Sequence, residues 1–181
     1  MARKERYGGG RIVVCDFDPA WAAMFEQEQR RLRTALGSIV ITVEHIESTA
    51  VPGLAAKPII DLLVGVPSLA EARSPCLEPL QALGYTYIAK YESWLPGETL
   101  FRRGMPGPST HHLHLMEPSS PRWDEYIQLR DYLRGHPQIA GAYANVKKAL
   151  ALVFDDEIVG YRNAKRPFLQ AVIAKAQAER R

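Results

Sequence analysis

The stretch His45-Ile46-Glu47-Ser48-Thr49-Ala50-Val51-Pro52-Gly53-Leu54-Ala55-Ala56-Lys57-Pro58-Ile59-Ile60-Asp61, continued by Leu62-Leu63-Val64-Gly65-Val66, decides the fold. From Pro58 to Val66 it is nearly all apolar, as expected of a central strand covered on both faces. One carboxylate interrupts it. An ionised Asp in such a strand is costly unless a cation, hydrogen bonds or a metal compensate it. Asp61 is therefore either a site residue or a strand-end carboxylate that caps a helix or pairs with Lys57 or Arg102. Ser38 to Ile46 alternates apolar and polar residues and is rich in Ile, Val and Thr, which predicts a half-buried strand. Between the two strands, Ser48-Thr49 and Val51-Pro52-Gly53 offer two hydroxyls and several backbone N–H groups on a turn entering a short helix. Such a turn can hold a phosphate or simply cap the helix.

Working outward, Arg11 to Val14 could form a short strand, and Asp18-Pro19 places a preferred cap before proline at the start of a helix over 19–36. Trp21, Phe25, Leu32 and Leu36 recur at helical spacing, the run Glu26 to Arg33 supplies an outer face, and Gly37 stops the helix. Downstream, a helix with proline interruptions reaches Leu83, followed by strands over 85–90, 98–104 and 111–117. From Ser120-Pro121 the pattern is helical, with further helices over 137–154 and from 156 onward, the last one kinked or divided by Pro167. The fold class is α/β of the α+β kind: a mixed β-sheet with flanking helices and a C-terminal helical segment. No internal repeat or low-complexity linker marks a boundary, so residues 11–181 read as a single domain behind a flexible leader, 1–10.

A chain of 181 residues, 46% hydrophobic, suits one substantial core. It has no apolar run of roughly 18 residues and no secretory start, which predicts a cytoplasmic protein without membrane contact. Cys15 and Cys76 stand far apart and support neither a disulfide framework nor a zinc knuckle. The net charge of +3 comes largely from the termini, through Arg3, Lys4, Arg6, Arg11, Arg180 and Arg181, and argues against nucleic acid as a partner.

In His111-His112-Leu113-His114, strand alternation puts His112 and His114 on one face and His111 with Leu113 on the other. Two imidazoles so placed can bind a metal, contact phosphate, or act as acid and base near neutral pH. Asp61 can join them only if the two strands are neighbours. Arg102 and Arg103 point to opposite faces, which predicts one for recognition and one for solvent. Helical spacing puts Tyr126 beside Arg130, next to Asp131, and Tyr161 beside Lys165, as polar groups that either snorkel around the core or serve a site.

The run His45-Ile46, Ser48 to Leu54 and Lys57 to Asp61 resembles the signature of the GrpB family (UPF0157). Support extends over residues 11–176 through Asp18 to Trp21, Phe25, Phe101-Arg102, His112 to Leu115, Arg130 to Leu133, Tyr143, Tyr161 and Lys165. The resemblance implies a nucleotidyltransferase-like fold and metal-assisted transfer from an NTP such as ATP to a small molecule, with magnesium as cofactor. Position by position, it implies that Ser48 sits near the triphosphate and that Asp61 is a magnesium ligand. Lys57, Arg102, His112 and His114 would line the same pocket, with Asp61, His112 and His114 as its catalytic and metal-binding centre. Thr49, Arg130, Tyr161 and Lys165 join as candidate nucleotide- or substrate-binding residues. The family's association with dephospho-coenzyme A kinase fits an alternative, a non-catalytic nucleotide- or metabolite-binding accessory module. Two positions depart from an active transferase: Glu47 stands where GrpB relatives generally have glycine, and Leu63 where a second carboxylate would complete a two-metal cage.

Overall fold

The computed structural model describes residues 11–93 and 95–179. The expected leader over 1–10, and the terminal charges within it and at Arg180 and Arg181, lie outside the described residues. In chain order the elements are α1 (Ala20–Leu36), β1 (Thr42–Ile46), β2 (Ile60–Gly65), α2 (Leu69–Ala82), β3 (Tyr85–Tyr87), β4 (Thr99–Arg103) and β5 (His111–Met116). The helices α3 (Pro121–Gly135), α4 (Pro137–Phe154) and α5 (Ile158–Ala178) complete them.

The strands form one mixed sheet in the order β1-β2-β5-β4-β3, in which β2 and β5 are parallel and the other pairings antiparallel. The apolar strand β2 thus lies inside the sheet beside β5, and both are mostly buried on their two faces, β5 despite its three histidines. Ile60, Leu62 and Val64 of β2 meet Trp21, Leu32 and Leu36 of α1 and Cys76 and Leu80 of α2 on one face. On the other, Leu63, Ile46 and Met116 pack against Trp123 of α3. Helices α3, α4 and α5 form a cluster of their own around Leu133, Tyr143 and Val172, which reaches the sheet's connecting turn at Val51 and Leu54.

The expected elements appear with adjusted edges. Arg11 to Val14 form no strand; the segment contributes only a bridge between Cys15 and Ala56. Residues 37–39 coil into a short 3-10 turn, so the strand expected from Ser38 begins at Thr42. The strand expected over 85–90 ends at Tyr87, because Ala89 to Tyr91 turn as a 3-10 helix. Asp18 caps α1 by accepting from the Ala20 N–H at 2.9 Å, and Gly37, at φ +55°, ends it. Prolines 75 and 79 lie within a continuous α2, and Pro167 does not divide α5, although its missing N–H leaves one carbonyl four residues back without a helical donor. On α1 the outer face is not uniformly solvated. Glu28 falls on the stripe of Trp21, Phe25 and Leu32 and is only 2% exposed.

Candidate active site

Register brings the site together. Pairing of β2 with β5 sets Asp61 opposite His112, and pairing of β4 with β5 sets Arg102 opposite the same histidine, so three strands present one row of polar side chains. His114 and Leu63 form the next row on that face. His112 Nδ1 donates to Asp61 Oδ1 at 3.1 Å, while His114 Nε2 lies 3.6 Å from the same oxygen, an ionic contact too long for a hydrogen bond. The far side of the His114 ring donates through Nδ1 to Glu98 Oε1 at 2.5 Å. Glu98, just ahead of β4, is wholly enclosed, and its second oxygen accepts from the Tyr126 hydroxyl at 3.3 Å and from Arg122 at 3.5 Å.

These contacts fix protonation. Burial pushes the His114 imidazolium toward neutrality, but the carboxylates of Glu98 and Asp61 overcome it and raise its pKa to about 10. His112 goes the other way: burial dominates over its bond to Asp61 and lowers it to about 4. Burial would raise Asp61, yet the hydrogen bonds and charge from the two histidines hold it far below the usual carboxylate range. At neutral pH the row is therefore carboxylate, neutral imidazole and imidazolium. Neither histidine titrates near pH 7: His112 is held neutral and His114 charged. Both Nε2 atoms are buried without a hydrogen-bond partner, and His112 and His114 line the same cleft as Asp61.

Among the described residues no group of three His, Cys, Asp or Glu side chains is placed to hold a metal ion. Magnesium is a hard cation that demands oxygen ligands. This face offers one carboxylate and two imidazoles that already hydrogen-bond or ion-pair with the carboxylates around them, and Leu63, fully buried among apolar neighbours, supplies no second acid. Asp61, His112 and His114 are joined by one hydrogen bond and one ionic contact.

Around it the cleft is basic. Lys57, Arg102, Lys147, Arg162 and Lys165 line it against only two carboxylates, Glu47 and Asp61. Burial, reinforced by Lys165, lowers both Lys57 and Lys147 to about 7. Arg102 donates to the Tyr91 hydroxyl at 3.1 Å and lies over that ring, as does Arg162 of α5. Lys165 sits 5.8 Å over Tyr161, so the pair expected from helical spacing does face the cleft.

The turn after β1 is held from within. His45 Nε2 bonds Thr49 Oγ at 3.0 Å, and Thr49 donates to the Ile59 carbonyl at 3.2 Å. Thr49 borders the cleft, but its hydroxyl closes the turn on β2. Ser48 instead accepts from Lys147 Nζ at 2.8 Å. Glu47 adopts φ +60°, ψ −161°, a region almost reserved for glycine, so its backbone is strained.

Arg130 is absent from the cleft wall. It lies buried, donating to Glu44, Asp131 and the His45 carbonyl, and braces β1 against α3. Of the two arginines, one of which was expected in solvent, Arg103 lies on the face opposite Arg102 and pairs with buried Glu28 at 2.5 Å. Sequence reasoning passed over Glu98 and Lys147. Glu98 stood at the first position of the strand expected over 98–104 and carried no signal of its own, but Lys147 did, since it shares the apolar face of α4 with Ala140 and Tyr143.

Fold and cleft together define a mixed-sheet α/β protein with a basic, histidine-bearing site. The family model described as GrpB protein matches residues 11–175, and the chain belongs to the GrpB family. It is 37% identical over 171 residues to the UPF0157 protein YqkA of Bacillus subtilis, covering 94% of this chain but 49% of that protein. The crystal structure of GrpB from Enterococcus faecalis superposes with a TM-score of 0.83 at 35% identity, covering 92% of this chain and 98% of that one. A protein named dephospho-CoA kinase from Mycolicibacterium paratuberculosis is 28% identical over 183 residues, a match to 88% of this chain and 44% of the kinase. Among the described residues no helix is long and apolar enough to cross a membrane.

Proposed function

We propose that the cleft binds a nucleotide-type phosphate ligand, an NTP such as ATP, and that the protein transfers part of it to a small-molecule acceptor. One observation carries this reading: five cationic side chains converge on one cavity with two carboxylates to balance them. Burial, helped by repulsion from neighbouring cations, leaves Lys57 and Lys147 partly deprotonated. A polyphosphate restores their charge and offers charge-assisted hydrogen bonds to each. Magnesium in this reading travels with the nucleotide and is not held by a protein cage. Asp61 orients both histidines, His112 stays neutral, and His114 is a fixed positive charge against negative charge developing in the reaction. The acceptor has room in a wider groove between α3 and α5, which shares Glu47, Tyr126, Arg162 and Lys165 with the cleft. This relationship to nucleotidyltransferases is part of the proposal.

The alternative is an accessory module that holds the ligand without turnover. Leu63 in place of a second carboxylate favours it, as does the match to part of a longer protein named dephospho-CoA kinase. Incubation with magnesium, each NTP and a metabolite mixture decides between them. Release of pyrophosphate or NDP supports the transferase; calorimetric nucleotide binding without either product supports the module; absence of binding overturns both.

A further inference from the structure

We propose that Ser48 is a nucleophile and Lys147 its base, so that transfer in this cleft passes through a covalent phosphoryl-type ester on Ser48. This deepens the reading of the cleft as a phosphate site and rests on it.

Four observations carry the inference. Lys147 Nζ stands 2.8 Å from Ser48 Oγ, with its other hydrogen bond to the Ala55 carbonyl. Such a pair has the nucleophile-to-base geometry that activates a hydroxyl. Second, Lys147 is 2% exposed, on the buried side of α4, with its ammonium 4.5 Å over the Tyr143 ring. Both residues nonetheless border the cleft. Third, the backbone delivers Ser48 to the cleft by an abrupt change of direction: β1 ends at Ile46, Glu47 takes its strained positive φ, and the chain coils at Ser48. A strained residue beside a candidate nucleophile points to a position that the fold maintains at a cost.

Fourth, the charged and titratable groups facing Lys147 come from every element around it. Lys165 of α5 and Lys57 before β2 disfavour its charged form, while Glu47 of the turn and Cys15 favour it; burial outweighs them all and leaves the amine near 7. A lysine so tuned is partly neutral at physiological pH and can accept a proton, which an ordinary surface lysine cannot.

The step balances. The Ser48 Oγ–H proton passes to neutral Lys147 Nζ as the Oγ–P bond forms and the P–O bond to the leaving phosphate breaks. The ammonium then returns the proton to the leaving oxygen. An acceptor hydroxyl then attacks phosphorus and passes its proton to Lys147, neutral again, as the Oγ–P bond breaks; Lys147 returns that proton to Ser48 Oγ and regenerates the serine.

A fluorophosphonate, a phosphorus electrophile that needs no nucleotide recognition, tests the pair. We expect one adduct, mapped to Ser48 by mass spectrometry, with loss of fluoride and a labelling rate that rises with pH through a midpoint near 7. Ser48→Ala should abolish it. Lys147→Met should slow it at least tenfold, and Lys147→Arg provides a second variant that retains a polar side chain at the site. Arginine keeps a donor to Ser48 but cannot accept a proton, so it should also lose labelling while still unfolding in one cooperative thermal transition. No adduct on Ser48, a pH-independent rate, or unchanged labelling in Lys147→Arg would overturn the proposal. Calorimetry of ATP with the parent protein separates the two levels: binding without labelling removes only the nucleophile, whereas absence of binding removes the phosphate reading itself.

Discussion

The two faces of β5 carry buried ionic clusters of similar composition and opposite character. On the α1 face, Glu28 accepts from Arg103 at 2.5 Å, Arg31 at 2.9 Å and Tyr85 at 3.1 Å, with the His111 imidazole close by. Both of its oxygens have donors, and burial, which would raise its pKa, is outweighed by Arg103, His111 and Arg31. On the cleft face, Asp61 and Glu98 hold His114 between them and Tyr126 stands over Glu98, yet both histidine Nε2 atoms have no hydrogen-bond partner. Both clusters combine carboxylate, histidine, arginine and tyrosine. A closed, satisfied network fixes packing, whereas a network with unspent polar atoms beside a cavity is prepared for a ligand.

The comparison can be broken most forcefully at Glu28. Glu28→Leu leaves Arg103 and the Tyr85 hydroxyl without their acceptor, and we expect a loss of about 4 kcal/mol in urea denaturation, the scale of a broken buried pair. ATP affinity should not change, because the cluster lies on the other face; a large affinity loss would mean that the two faces are not independent. On the cleft side, His114→Asn should cost about 3 kcal/mol at pH 6. Because the folded pKa of His114 is raised to about 10, its contribution is fully present below the unfolded value near 6.5 and is lost as pH rises through 10. The stability gap between parent and variant should therefore close from pH 6.5 to 10, and a constant gap would mean that His114 is neutral.

Ligand binding gives the next effect. Lys57 and Lys147 titrate near 7, and a phosphate raises both, so ATP should bind with proton uptake at pH 7 to 8 and weaken by about tenfold between pH 7 and 9, since one unit of pKa shift corresponds to 1.36 kcal/mol. Calorimetry in buffers of different ionisation enthalpy checks the uptake. The smallest effect belongs to Glu47→Gly, which removes the strained side-chain-bearing residue at φ +60° and should stabilise the fold by about 1 kcal/mol in thermal denaturation. It should also tighten triphosphate binding, since a carboxylate leaves the cleft wall. Unchanged affinity would show that the turn does not approach phosphate.

Much of the fold was legible because it is written in local periodicity. The apolar run around Asp61, the alternation in His111 to His114 and the cap before α1 each depend on a few neighbouring residues, and the elements formed where those patterns stand. Misreadings came where a local pattern had two physical outcomes. Glu28 belongs to a charged run and also to the apolar stripe of α1; tertiary burial chose the stripe because three donors awaited it. Arg130 shares helical spacing with Tyr126, but Tyr126 turns to Glu98 while Arg130 turns to Glu44.

The sequence by itself determined that Asp61 needs compensation, that His112 and His114 share a face, that Ser48 stands on a turn between two strands, and that the chain resembles the GrpB family. Only the tertiary structure decided what meets them. The partners are distant in sequence: Asp61 and His112 are 51 residues apart, Glu98 and His114 are 16, and Ser48 and Lys147 are 99. Residue spacing encodes the direction a side chain takes from its own helix or strand. It does not encode which strands become neighbours, and that pairing, through burial and opposed charge, made one histidine of the same strand neutral and the other a cation.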